Sequence, residues 1–137
     1  GDGYTFEIGK MVELISGDDI TIMASGGVVQ HAVKASDMLK KDGVNASVIN
    51  VHTLKPIDRE MIVKCAERTG HIVTVEDHNV IGGLGSAVAE VLAETGSGRL
   101  TRHGLYDTFG ESGTTSELYA KYCFDAPGIA KVVKEAL

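Results

Sequence analysis

The chain has 137 residues, a usual size for one domain, and its 43% hydrophobic content is typical of a globular fold rather than a disordered chain. Its net charge of −6 argues against a nucleic-acid partner, because such a partner favours a basic protein face. No apolar stretch approaches the ~20 residues of a membrane-spanning helix and no signal-peptide pattern opens the chain, so we expect a cytoplasmic protein that spans no membrane.

The first half of the chain alternates short β-branched runs with helical runs. Residues 19–24 are rich in strand formers and are followed by a glycine pair. Over residues 28–41 the apolar positions recur at steps of three and four, which predicts an amphipathic helix, and Gly43 is placed to end it. Residues 44–51 predict a second strand, and Asp58 is placed to cap the helix that follows.

The second half continues the same alternation. Residues 71–76 predict a third strand, and a glycine cluster follows it. Residues 84–96 predict a helix with a glycine at its end, and residues 99–105 predict a short fourth strand. A further helix is expected within residues 112–122, and Pro127 is placed to open the last one.

Alternating strands and helices in so short a chain predict parallel strands joined by right-handed crossovers. We therefore predict an α/β fold, a three-layer sandwich in which a mostly parallel, doubly wound sheet of about five strands carries helices on both faces. Residues 4–8 are expected to add an edge strand. No linker, repeat or low-complexity stretch divides the chain, so residues 1–137 are predicted to form a single domain.

The most unusual stretch, residues 76–87, follows the third predicted strand and combines two carboxylates and a histidine with three glycines. Ligands of open α/β sheets bind beyond the carboxyl ends of strands, and a helix N-terminus can hold an anion. The glycines are better explained by a tight turn and by close packing of the next helix than by a bound ligand. The stretch is therefore a candidate interface or anion-binding loop, with the candidate residues Glu76, His78, Gly82, Gly83, Gly85, Ser86 and Ala89.

Three other chemistries are not supported by the residues. A dinucleotide fingerprint fails because Gly83 and Gly85 are followed by Val88, where the pattern needs Gly or Ala. A metal site at residues 76–78 is disfavoured because adjacent strand residues point in different directions. Ser112 has no histidine after it, so a hydrolase triad is also disfavoured. We assign no catalytic, cofactor-binding or metal-binding residue to this chain.

Several motifs, in order, resemble those of transketolase C-terminal domains. Residues 73–78 and 81–92 are similar to the family's VEEH and IGGLGSAVAEVL segments, residues 54–58 to its LKPLD turn, and residues 107–113 to its D-x-FGESG segment. Deoxyxylulose-phosphate synthase and the beta subunits of 2-oxo acid dehydrogenases share this domain, and the FGESG segment favours transketolase among them. One departure is Cys123, which lies where the family usually has a glycine in a turn.

The resemblance implies a function that the residues alone do not give. Complete enzymes of the family transfer two-carbon ketol units between sugar phosphates, with thiamine diphosphate and Mg²⁺ held between two other domains. The chain is thus expected to be a C-terminal structural and dimerisation domain that is inactive alone and binds no cofactor itself. Its implied partners are the remaining transketolase domains or an N-terminal subunit, in a homodimer of the full enzyme.

Two alternatives stay open. The first is a small-ligand or regulatory anion-binding module that uses the loop from Gly82 to Ser86, and the second is the same domain from the synthase or the dehydrogenase. For the transketolase interpretation we expect residues 76–91 to belong to a self-association surface. The helix after Gly85 is apolar almost all round, with Ala89 small enough for close approach, and such a helix should be covered on more than one side. Neighbouring helices of the same domain are the competing explanation for that cover.

Overall fold

The computed structural model describes residues 9–79, 83–105 and 114–137, with the backbone alone at positions 78 and 79. The predicted edge strand at residues 4–8 lies outside the described residues. The strands are β1 (Val12–Ile15), β2 (Ile20–Ala24), β3 (Ala46–Asn50), β4 (His71–Asn79) and β5 (Arg99–Leu105). The helices are α1 (Val29–Lys41), α2 (Arg59–Thr69), α3 (Leu84–Thr95), α4 (Thr115–Lys121) and α5 (Ala126–Ala136).

The strands form one five-stranded sheet in the order β1-β3-β2-β4-β5. Strands β2 to β5 are parallel to their neighbours, whereas β1 runs antiparallel along β3. The predicted α/β fold with a mostly parallel sheet is therefore confirmed. Strand β1 was not predicted, because its four residues at a sheet edge, three half-buried and one exposed, show no clear alternation of apolar and polar side chains.

Helices cover both faces of the sheet, as the three-layer prediction requires. Helices α1 and α5 share one core cluster with β2, β3 and β4, and its largest fully buried members include Ile22, Leu39, Val48 and Ile129. Helices α2 and α3 share the other cluster, whose fully buried members include Met23, Ile49, Ile62 and Leu84. In each layer the helices bury apolar side chains that recur with a helical period in the sequence.

Local signals fix two helix ends at their predicted places. The Asp58 carboxylate accepts a hydrogen bond from the Met61 amide at 3.2 Å and so caps α2. Helix α3 ends at Gly96, which has a left-handed backbone with φ of 67° that glycine adopts without steric cost. None of the helices in the described ranges has the length and apolar character needed to cross a bilayer.

The doubly wound topology creates one crevice at the carboxyl edge of the sheet. From β2 the chain passes to α1 on one face, and from β4 it passes to α3 on the other. Strands β2 and β4 are neighbours in the sheet. Because the chain leaves them toward opposite faces, the segments that follow the two strands diverge. Open α/β proteins place their ligands at such a switch point, which makes the carboxyl ends of β2 and β4 the place to search for a site.

Candidate functional site

The first candidate residue, Glu76, is a helix-capping carboxylate. Its side chain is buried, with 1% exposed, near the carboxyl end of β4. One carboxylate oxygen accepts a hydrogen bond from the Leu84 amide at 2.9 Å, and the other accepts one from the Gly85 amide at 2.8 Å. The first N–H groups of a helix have no partner within it and favour a negative charge. The chain's own carboxylate thus occupies the position that the sequence offered to an external anion.

Gly83 and Gly85 lie at the N-terminus of α3, one at the cap position and one closely packed. Gly83 is the N-cap residue, with an ordinary φ of −97° and no side chain to cap the helix, so Glu76 supplies the cap. A Cβ atom on Gly85 would lie 2.8 Å from the Cδ of Arg102 and 3.0 Å from the Oγ1 of Thr74. Such distances leave no room for a side chain, which supports the close-packing interpretation of Gly85.

Asp77 reaches the opposite side of the sheet from Glu76. Its Oδ2 atom accepts a hydrogen bond from the Tyr119 hydroxyl of α4 at 2.6 Å. A Cβ atom on Gly27, in the turn after β2, would lie 2.9 Å from that hydroxyl oxygen. The His31 ring contacts the Tyr119 ring edge to face, with the centroids 5.2 Å apart. These residues from four chain segments meet at the carboxyl ends of β2 and β4.

The electrostatics of this group favour a neutral tyrosine. Burial, together with the hydrogen bond to the Asp77 carboxylate and its charge, raises the pKa of Tyr119 to about 12. At neutral pH the phenol therefore stays protonated and donates its hydrogen bond to Asp77. The hydrogen bond between the neutral phenol and Asp77 joins α4 to the carboxyl end of β4.

Sequence analysis did not find this group. It noted that adjacent residues at the end of this strand point in different directions, which agrees with the two carboxylates lying in different layers, but it gave Asp77 no partner. Tyr119, His31 and Gly27 carried no local signal, since they lie in separate elements that only the tertiary fold brings together.

A second polar contact supports the turn between α4 and α5. The Nε2 atom of His103 lies 2.9 Å from the carbonyl oxygen of Cys123, and because a carbonyl only accepts, this nitrogen is the donor. Burial lowers the pKa of His103, although hydrogen bonds to the backbone of Cys123 and Tyr122 oppose the shift. Cys123 has a φ of 62°, in the left-handed region that favours glycine. The turn thus keeps the glycine-like conformation at the position where the family resemblance departs.

Helix α3 buries one side and exposes the other. Val88, Val91 and Leu92 are buried against the sheet and α2, whereas Glu90 and Ala93 are exposed. The candidate residues Ser86 and Ala89 are half-buried. The domain itself therefore covers the apolar side of α3, and the outer side presents small and polar residues.

The candidate residues of the sequence analysis divide into separate groups. The structure brings Glu76, Gly83 and Gly85 together at the N-terminus of α3, and it places Ser86 and Ala89 farther along the helix. Gly82 and the side chain of His78 lie outside the described residues. The self-association surface that was assigned to this stretch stays a prediction.

The described residues do not fit a magnesium–diphosphate group. Within the ranges that the structure describes, no group of three or more His, Cys, Asp or Glu side chains is placed to hold a metal ion. The α3 amides that would suit a phosphate already donate to Glu76. We therefore derive no catalytic step through such a cofactor in this chain.

Comparison with known proteins gives consistent matches over nearly the whole chain. The family model described as transketolase, C-terminal domain, matches residues 9–129. A Methanocaldococcus jannaschii protein named as a transketolase C-terminal section is 46% identical over 134 residues, which are 97% of this chain and 42% of that protein. A 1-deoxy-D-xylulose-5-phosphate synthase of Syntrophotalea carbinolica is 45% identical over 93% of this chain and 20% of its own length.

Solved structures give the same result for the fold. A structure titled "Split gene transketolase, inactive beta4 tetramer" has a TM-score of 0.93 and 44% identity, and the match covers 100% of this chain and 45% of that one. The chain thus spans less than half the length of each of these relatives. The remaining parts of these relatives have no counterpart in the matched residues.

Proposed function

Since the chain belongs to the transketolase C-terminal domain family, we propose that it is the structural and dimerisation domain of a thiamine-diphosphate-dependent enzyme that transfers two-carbon ketol units between sugar phosphates. The observation that carries the proposal is the 46% identity to a transketolase C-terminal section along 97% of the chain.

The partners follow from the length of the relatives. The C-terminal section matched here is more than twice as long as the matched region, so we propose that further domains or an N-terminal subunit complete the enzyme. The split-gene relative is titled an inactive tetramer of one subunit type, which supports self-association without catalysis by subunits that carry this domain. Both cysteines, Cys65 and Cys123, are free thiols, which suits the cytoplasm that we propose for the enzyme.

Two other functions receive unequal support. An anion-binding module at the loop from Gly82 to Ser86 is less favoured, because an external anion would have to displace Glu76 from two backbone amides. The synthase is a stronger second candidate, since one synthase is 45% identical over 93% of the chain. Assaying the complete enzyme for both reactions separates ketol transfer from synthase activity.

The experiment that tests the proposal reconstitutes the chain with its missing domains. We expect ketol transfer that requires thiamine diphosphate and Mg²⁺ from the complete enzyme, and neither transfer nor cofactor binding from the chain alone. Saturable binding of thiamine diphosphate by the chain alone at micromolar concentration would overturn the proposed division of roles. Absence of ketol transfer in a complete, folded and dimeric enzyme would overturn the proposed reaction.

The dimerisation role is tested in the same enzyme with Ala89→Arg. A long charged side chain on the half-buried outer side of α3 is expected to leave the domain folded and to shift the enzyme from dimer to monomer in sedimentation. Ala120→Arg, which adds the same side chain at an exposed position of α4, controls for the added charge itself. An unchanged dimer with normal activity would show that α3 is outside the interface.

A further inference from the structure

The Asp58 carboxylate ties the start of the described chain to the start of α2. One of its oxygens accepts a hydrogen bond from the Met11 amide at 2.9 Å, and the other accepts the capping bond from the Met61 amide at 3.2 Å. Asp58 is 7% exposed, and Met11 lies 47 residues before it in the sequence. A buried carboxyl group that accepts from two backbone amides is a strong link between these distant segments.

The segment that enters β1 lies against the loop before Asp58. A Cβ atom on Gly9 would lie 3.2 Å from the Cγ of Pro56, and Gly9 has a left-handed φ of 80° that a larger residue would adopt only with strain. Two residues later, Met11 is buried in the core cluster of α2 and α3. Gly9, the first described residue, therefore lies beside the loop that joins β3 to α2.

This loop presents apolar surface at the point of attachment. The Leu54 side chain is 38% exposed, and Pro56 beside it is also exposed. Within the described residues Leu54 keeps this exposure, and burial of a leucine side chain is favourable. A single exposed leucine is ordinary, but this one lies two residues before Pro56, which is the residue beside Gly9.

On these observations, and resting on the proposed function, we infer that the loop from Leu54 to Pro56 is the docking surface for the N-terminal portion of the longer enzyme. Asp58 is the positioning residue that sets how that portion joins the domain. The matched part of the family is its C-terminal domain and covers 42–45% of two relatives, so most of each relative precedes it. A portion tethered beside Leu54 has a high effective concentration there, so a small apolar patch is sufficient to hold it.

The test measures trypsin cleavage after Lys10 in the complete enzyme by mass spectrometry. Lys10 is exposed in this domain and lies between Gly9 and Met11, so docking of the preceding portion should protect it. Leu54→Asp is expected to raise the cleavage rate about tenfold or more, since a charge opposes burial of the patch. Met38→Asp is the matched control, because Met38 is equally exposed at 38% but lies on α1. Cleavage rates that are the same in both variants would overturn the inference.

The positioning role of Asp58 is tested separately with Asp58→Asn. This change removes the charge and one acceptor oxygen, so exchange of the Met11 amide is expected to accelerate about tenfold or more. Asp125→Asn is its control, because Asp125 caps α5 through the Gly128 amide and does not contact the entry segment. Unchanged exchange at Met11 in folded Asp58→Asn would overturn the positioning role, and if that variant unfolds, the pair of Leu54 and Met38 variants decides.

These readouts are independent of the proposed reaction. An enzyme that lacks ketol transfer yet loses protection of Lys10 in Leu54→Asp would contradict the proposed function and keep the docking surface. An active enzyme whose Lys10 is cleaved equally in wild type and Leu54→Asp would keep the function and contradict the docking surface. Protection that appears only at high protein concentration would assign the loop to a second copy instead, and would also overturn the inference.

Discussion

Two adjacent carboxylates of β4, Glu76 and Asp77, lie side by side in the sequence and act in different layers of the protein. Glu76 is buried and accepts from two backbone amides of α3. Asp77 is half-buried and accepts from the hydroxyl of Tyr119 on α4. A strand directs successive side chains to opposite faces, so adjacent acids there need not form one site. Each carboxylate here has a structural partner that the sequence did not reveal.

The partners of the two acids predict unequal effects on stability. Loss of Glu76 would leave buried backbone donors of α3 without an acceptor, and buried unsatisfied groups carry a large free-energy cost. Loss of the Asp77 bond would affect a hydroxyl on a short helix, where water can replace part of the interaction. The comparison is therefore between Glu76, a buried carboxylate that caps α3, and Asp77, a half-buried carboxylate that holds α4 through Tyr119.

Glu76→Ala should have the largest effect. We expect it to lower the free energy of unfolding by about 3 kcal/mol, because two hydrogen bonds to a charged acceptor and the interaction with the helix dipole are lost together. Glu76→Gln should lower it by about half as much, since one acceptor oxygen remains. Urea denaturation measures both values. A loss for Glu76→Ala below about 0.5 kcal/mol, the range of ordinary surface changes, would contradict a capping role.

Tyr119→Phe should have an intermediate effect that depends on pH. Near neutral pH it removes one hydrogen bond to Asp77 and is expected to cost about 1 kcal/mol. In the folded protein the pKa of Tyr119 is raised from 10.0 to about 12, so the fold favours the neutral phenol. This contribution is complete below pH 10 and is lost as the pH rises through about 12.

Thermal melting of the wild type and Tyr119→Phe across that pH window checks the prediction. The melting temperature of the wild type should exceed that of the variant at neutral pH, and the difference should shrink as the pH approaches 12. Other tyrosines titrate in both proteins, so the difference isolates Tyr119. A difference that stays constant over the whole range would show that its ionisation is not coupled to folding.

Local sequence signals predicted the elements of this fold better than the contacts at its carboxyl edge. The period of residues 28–41 gave α1, and Asp58 marked the start of α2, because both signals act within one or two turns of chain. The bond between Asp77 and Tyr119 joins residues 42 positions apart, so no local pattern encodes it. The partners of Glu76 lie only eight and nine residues away, but they can be identified only when the end of β4 and the start of α3 are both known.

Cys123 shows the same limit at the other end of α4. The sequence showed that a family glycine is replaced here, whereas the consequence for the backbone was visible only in the structure. Cys123 keeps the left-handed conformation, and the His103 ring donates a hydrogen bond to its carbonyl oxygen. The ring of the adjacent Phe124 packs against the Tyr119 ring, with the two centroids 5.8 Å apart. The turn therefore supports the position of α4, from which the Tyr119 hydroxyl donates its hydrogen bond to Asp77.

Cys123→Gly should give the smallest effect and the opposite sign. A left-handed conformation costs an L-residue about 1–2 kcal/mol, and glycine removes that cost while it gains freedom in the unfolded chain. The expected net gain in the free energy of unfolding is about 0.5–1 kcal/mol relative to Cys123→Ala, the control that keeps Cβ but also lacks the thiol. Urea denaturation of the two variants measures the gain. Equal stability of the two variants would mean that the φ of 62° at Cys123 carries no strain. The contact between α4 and Asp77 would then not depend on a strained turn.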